Sequence, residues 1–197
     1  MAQNMRTENS RSLRKQALDM LAGPYVFPQA ETALISALQP RFPGLDAKKL
    51  RDCLAYLEKK GYVAVNTADS GLRSVQITPA GMDVSDGAVS DHGVLPAQPG
   101  LTGLIVKRAI RAGVLAFCRQ CPEAFNGDDE IHQDLLDQGM ESLLIEQVRY
   151  HIWYLAKKGL LELRTHPANG DLVYLARITA RGMDVNDGLL ADPGVTG

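Results

Sequence analysis

The sequence predicts an α+β fold, predominantly helical, built from two copies of one small domain. Residues 50–61, LRDCLAYLEKKG, return as residues 148–159, VRYHIWYLAKKG, with six of twelve positions identical. Residues 77–94, ITPAGMDVSDGAVSDHGV, return as residues 178–195, ITARGMDVNDGLLADPGV, with eleven of eighteen identical. In both halves a helical spacing of apolar residues ends at a Lys-Lys-Gly stop and gives way to two short β-prone runs. The offset between copies grows from 98 residues at the first block to 101 at the second, so the second copy holds three extra residues between them. Insertions of this kind collect in exposed loops. The 197 residues divide into an N-terminal domain at 1–92, a linker at 93–100 and a C-terminal domain at 101–197, each near a common domain size.

In the first copy, Ser12 to Leu21 has helical spacing, with Leu13, Ala17, Leu18 and Leu21 on one face and Gly23-Pro24 as its stop. A second helix takes Pro28 in its first turn, buries Ala30, Leu34, Ile35 and Leu38, and stops at Pro40. Asp46 is placed to cap a third helix that runs to Lys60 and turns Ala47, Leu50, Cys53, Leu54 and Leu57 to the core, with Gly61 ending it. Tyr62–Thr67 and Leu72–Thr78, joined by Ala68-Asp-Ser-Gly71, then form a β-hairpin. The second copy repeats the order with helices at Leu104–Cys118, Asp129–Gln138 and Ser142–Lys158. Its hairpin pairs Leu160–Thr165 with Leu172–Thr179 around a longer turn containing Pro167-Ala-Asn-Gly170. Three helices followed by a two-stranded hairpin is the order of a winged helix-turn-helix domain, so the expected architecture is two of these in tandem. The tail after each hairpin, GMDVSDG or GMDVNDG, reads as too short for a helix of typical length and too rich in Gly and Asp for a strand. Met82 and Val84, or Met183 and Val185, are expected to pack it onto its domain.

Composition excludes several classes. Hydrophobic residues make up 45% and charged residues 22%, which is not a disordered profile, and no apolar run approaches the ~20 residues that span a bilayer. The start lacks the apolar stretch of a signal peptide, so a cytoplasmic location with no membrane contact is the default expectation. Net charge is +1 over residues 1–92 and −3 over residues 93–197, so any nucleic-acid binding must rest on a local patch. Cys53, Cys118 and Cys121 do not make a disulfide framework, and the lone CRQC pair lacks further ligands at zinc spacing. No phosphate-binding glycine loop, nucleophile-base arrangement or paired catalytic carboxylates stand out, so a non-enzyme without metal or other cofactor is expected.

The blocks LAYLEKKGYVAV and ITPAGMDVSDGAVSDHGV resemble a family of small winged-helix proteins encoded by Mu-like bacteriophages and prophages. The tail that carries the resemblance is Gly81, Asp83, Val84, Gly87, Gly93 and Val94 in the first copy and Gly182, Asp184, Val185, Gly188, Gly194 and Val195 in the second. The family usually carries a single copy, from which this tandem chain departs. The resemblance implies a DNA-binding transcription regulator.

On the third helix of the first copy, Lys48, Arg51, Asp52, Ala55 and Lys59 fall outward, with Lys49 beside them. Lys48 and Arg51 occupy the end that reads base edges in such domains, and Lys49 is a further DNA-binding candidate. Lys59, and Arg73 on the hairpin, are placed for phosphate on double-stranded DNA. The same cations would also sit on any solvated helix face. In the second copy, Lys48 is replaced by Glu146, Asp52 by Tyr150 and Ala55 by Trp153, and residues 123–141 add seven carboxylates. That copy is expected to read DNA poorly and to use Tyr150 and Trp153 in a contact with the other repeat, a second chain or a protein partner. An alternative reading of the whole chain is a protein-assembly module that does not bind DNA.

Overall fold

In the computed structural model the chain separates into two compact units, residues 1–100 and 101–197. The structure describes residues 2–23, 27–96, 101–168 and 171–196, of which 2–6 and 101–102 are described in backbone only. The first unit runs α1 (Ala2–Leu21), β1 (Gln29–Ala30), α2 (Glu31–Leu38), α3 (Ala47–Lys59), β2 (Val63–Thr67), β3 (Arg73–Ile77) and α4 (Pro79–Asp86). The second runs α5 (Leu101–Gln120), β4 (Asn126–Gly127), α6 (Asp128–Asp137), α7 (Ile145–Lys157), β5 (Leu161–Ala168), β6 (Asp171–Ile178) and α8 (Ala180–Asn186). The α+β class is therefore observed, with the same element order twice. Each unit has one three-stranded antiparallel sheet, ordered β1-β3-β2 in the first and β4-β6-β5 in the second. Among the described residues no helix is long and apolar enough to cross a membrane.

The cores follow the apolar spacing. Leu18, Leu34, Leu38, Leu50, Leu54 and Leu57 are fully buried in the first unit. Ile131, Leu135, Val148, Ile152, Tyr154 and Leu155 are fully buried in the second. Each such side chain stabilises its unit by about 1.5–3 kcal/mol relative to exposure. Asp46 caps α3 by accepting from the Lys49 amide at 2.7 Å, and Gly61, at φ +72°, supplies the left-handed residue after it.

Several boundaries differ from the sequence expectation. α1 begins ten residues before Ser12, and Ala47 is exposed rather than in the core. Pro28 does not start α2: Gln29 and Ala30 pair with Val75 and Ser74 as a third strand, and the helix begins at Glu31. The tails form short helices, α4 and α8, because Thr78 and Thr179 cap them by accepting from the amides of Gly81 and Gly182 at 3.2 and 3.0 Å. Met82, Val84 and Val185 are buried and Met183 is half-buried, so tertiary packing holds helices that propensity alone would not. The three inserted residues lengthen the second hairpin, whose ladder runs from Leu161–Ile178 out to Ala168–Asp171. The expected stop at Pro24, the Asn169-Gly170 turn and residues 97–100 of the linker lie outside the described residues.

Residues 93–96, taken in sequence as the start of the linker, belong to the first unit: Val94 is buried and the Leu95 amide donates to the Arg11 carbonyl. The repeated tail works as a clasp. Arg14 stacks 3.6 Å from the Tyr56 ring centroid and donates through Nη1 to the Gly93 carbonyl at 2.9 Å. Arg111 does the same on Tyr154 at 3.7 Å and on the Gly194 carbonyl at 2.9 Å. Lys60 binds Asp91 at 2.9 Å and Lys158 binds Asp192 at 2.6 Å. Burial opposes charge on Asp91, yet hydrogen bonds from Lys60, Tyr62 and the Gly93 amide together hold its carboxyl down to about 2. The glycines are required by close approach, since a Cβ on Gly81 or Gly182 would lie 2.1 Å from the carbonyl oxygen of Tyr62 or Leu160. Most of what the two copies share is thus explained by how each tail closes on its own unit.

Candidate nucleic-acid interface

The third helix of the first unit is amphipathic around a buried Leu50-Leu54-Leu57 stripe, and this turns its cations outward. Lys48 is the most open, with 87% of its side chain exposed, and makes a 3.4 Å i,i+4 contact with Asp52. Lys49 Nζ donates to the Gly44 carbonyl at 2.6 Å and lies 3.9 Å from Asp46. Lys59 is exposed in the last turn, with no ion pair among the described residues. Surface pairs of this kind contribute about 0–1 kcal/mol, so Lys48 and Lys49 can exchange them for phosphate at little cost.

Arg51 and Arg73 have a second task. Arg51 Nε donates to Glu31 Oε1 at 2.7 Å, and Arg73 Nη1 approaches Glu31 Oε2 at 3.3 Å. The Glu31 side chain is only 7% exposed, at the first residue of α2. The Arg73 contact is an ion pair without hydrogen-bond geometry, since Oε2 accepts no hydrogen bond. These arginines neutralise a buried carboxylate and tie α2 to α3 and the hairpin. Arg51 nevertheless keeps 55% of its side chain in solvent, against 28% for Arg73.

In the second unit the equivalent carboxylate is Asp128, 2% exposed, bound by Arg149 Nε. Arg149 Nη1 also reaches Asp171 on the hairpin at 3.1 Å, and only 16% of its side chain remains exposed. Asp128 and Asp171 surround the guanidinium and raise its proton affinity further, although burial acts the other way and is the largest single effect. Beside it, Glu146 stands where the first unit has Lys48. Tyr150 is buried, its ring edge-on to His151 at 5.0 Å, and Trp153 is half-buried with the Lys157 ammonium 5.9 Å from its ring. Two cations of the second hairpin, Arg164 and Arg177, stack on Phe125 at 4.1 and 4.6 Å. The structure therefore gathers Lys48, Lys49, Arg51 and Lys59 along one helix, with Arg73 joined to them through Glu31.

Sequence reading missed Glu31 and Asp128. One signal was available: the arginine pairing with them is identical in the two copies, although the residues around it change from basic to acidic and aromatic. Cys118 is buried with its thiol pushed up to about 12 by burial, while Cys121 is exposed. Among the described residues no group of three or more His, Cys, Asp or Glu side chains is placed to hold a metal ion. Comparison with protein-family models, curated proteins and solved structures finds no match to this chain.

Proposed function

We propose that each unit is a winged helix-turn-helix domain and that the chain is a DNA-binding regulator of the phage and prophage type, with the first unit contacting the duplex. The observation that supports this is the contrast between the two third helices. α3 exposes Lys48, Lys49 and Lys59, whereas α7 exposes Gln147 and Lys157, puts Glu146 in place of Lys48 and withdraws Arg149 between two carboxylates. A guanidinium has five donors, so Arg51 can keep Nε on Glu31 and offer its outer N–H groups to a phosphate in a fixed orientation.

Fluorescence anisotropy on a random-sequence duplex between about 50 and 200 mM salt tests this reading. The parent should lose affinity steeply with salt. A K48A/K49A/K59A variant should bind more weakly at every salt concentration, with the log–log slope reduced by about 3, because each phosphate contact contributes about 0.9. Undiminished binding by the variant would reject α3 as the contact surface.

A second reading, protein assembly without DNA binding, draws on the second unit, where Leu144 is 62% exposed at the start of α7 and Trp153 is half-buried, whereas Tyr150 is buried and offers no surface to a partner. Absence of duplex binding at 50 mM salt, together with concentration-dependent sedimentation, would favour it.

A further inference from the structure

We propose that the first unit binds a small amphipathic organic anion in the recess between α1, α3 and the loop joining α2 to α3. This site does not depend on DNA binding. The recess measures about 590 Å³, within the ~300–1,000 Å³ range of small-molecule sites. Its apolar lining comes from Leu13, Phe42, Pro43, Leu45 and Cys53. Three cations, Arg14, Arg41 and Lys49, line it against one carboxylate, Asp52, which is itself in contact with Lys48 at 3.4 Å. An apolar body with one carboxylate, sulfonate or phosphate matches that combination, whereas a cation would meet like charge. Arg14 borders the recess while its guanidinium stays stacked on Tyr56 and bonded to the Gly93 carbonyl, so its positive charge is held in place there.

The loop is joined to its two helices by exposed hydrogen bonds, from Lys49 Nζ to the Gly44 carbonyl and from Arg41 to Gln16 on α1. An anionic group can replace these at little cost, and Asp46 caps α3 just beyond the loop.

In the other copy the matching arginine is enclosed. Arg111, the counterpart of the half-buried Arg14, is fully buried, and Ile110, the counterpart of the half-buried Leu13, is buried beside it. His151 replaces Cys53 and accepts from Arg111 Nε at 3.3 Å through Nδ1. Burial first, then Arg111 and Lys107, push that imidazole well below its ordinary value, so it stays neutral. Where the second unit has an imidazole, the first has only a thiol, and the adjoining arginine borders open space.

The probe is 8-anilinonaphthalene-1-sulfonate, titrated into the full chain with fluorescence detection. One saturable site is expected. 2-Naphthalenesulfonate should displace the dye at a concentration at least tenfold lower than neutral 2-naphthalenemethanol does. The Arg41→Ala, Lys49→Ala double variant should bind the dye at least tenfold more weakly. Equal displacement by the neutral analogue, or undiminished binding by the variant, would overturn the proposal. Amide chemical shifts of the parent with 2-naphthalenesulfonate give a test independent of any variant. Changes centred on residues 41–53 and the facing part of α1 support the site, and changes centred elsewhere or absent overturn it.

Discussion

Replacing Arg149 by alanine strands Asp128. The carboxylate is 2% exposed at the first residue of α6, and Arg149 is its ion-pair partner. Removing one member of a buried pair costs about 3–5 kcal/mol, because the remaining charge is left without water or counter-ion. The second contact, to Asp171, involves a side chain 68% exposed and adds no more than about 1 kcal/mol. A domain of this size is stable by about 5–15 kcal/mol, so the variant should lose a large fraction of the stability of the second unit. At about 4–8 °C per kcal/mol, its midpoint should fall by at least ~12 °C. Trp153, on α7, is the only tryptophan, so fluorescence-detected thermal or urea unfolding follows this unit. Asp171→Ala should shift the same transition by about 1 kcal/mol or less. Exchanging the pair for Asp128→Leu with Arg149→Met should recover most of the loss, since an apolar pair of similar volume needs no counter-charge. Equal, small effects of Arg149→Ala and Asp171→Ala would refute the buried-pair argument.

In the first unit, Arg51→Ala should cost less, about 1–2 kcal/mol, because Arg51 is 55% exposed and Arg73 still faces Glu31. Circular dichroism should record that loss while the Trp153 transition stays in place. Gly182→Ala should destabilise by at least about 1–3 kcal/mol through its clash with the Leu160 carbonyl, whereas Gly103→Ala, in open space on α5, should stabilise by about 0.5–1 kcal/mol. Chemical denaturation of the two variants compares them directly. The depressed Asp91 carboxyl contributes stability that is complete above its ordinary value of 3.8 and is lost as pH falls toward about 2. The difference in urea midpoint between the parent and Asp91→Asn should therefore shrink between those pH values, and a constant difference would exclude this origin.

The duplication made much of the architecture legible. Two copies had to agree on the same three helices and hairpin, and the apolar spacing of Leu50, Leu54 and Leu57 located the core side of α3. What it could not carry were elements with no period of their own. Gln29–Ala30 and Asn126–Gly127 are two-residue strands defined only by a partner far along the chain. Tertiary burial of Met82 and Val84 stabilises a helix that local propensity leaves marginal. The candidate site was legible in position but not in pairing. A helical wheel puts Arg51 outward correctly, but it cannot reveal a carboxylate 20 residues earlier that folds back beneath it. Tyr150, read as outward from the same wheel, is buried, because α7 also buries His151, Ile152, Tyr154 and Leu155 and leaves less of its circumference open.

The lengthened hairpin of the second unit creates a hazard that the sequence also answers. β5 lies at the margin of its sheet and is eight residues long, against five for β2. Such a margin is a template for an incoming strand from another molecule, and a longer one offers more rungs. Pro167 sits inside β5, opposite Leu172. Having no N–H, it can occupy a marginal strand without breaking the internal ladder, and it denies an incoming strand one of the donors needed for continuous pairing. Replacing it would restore that donor and make edge-to-edge pairing of two chains easier.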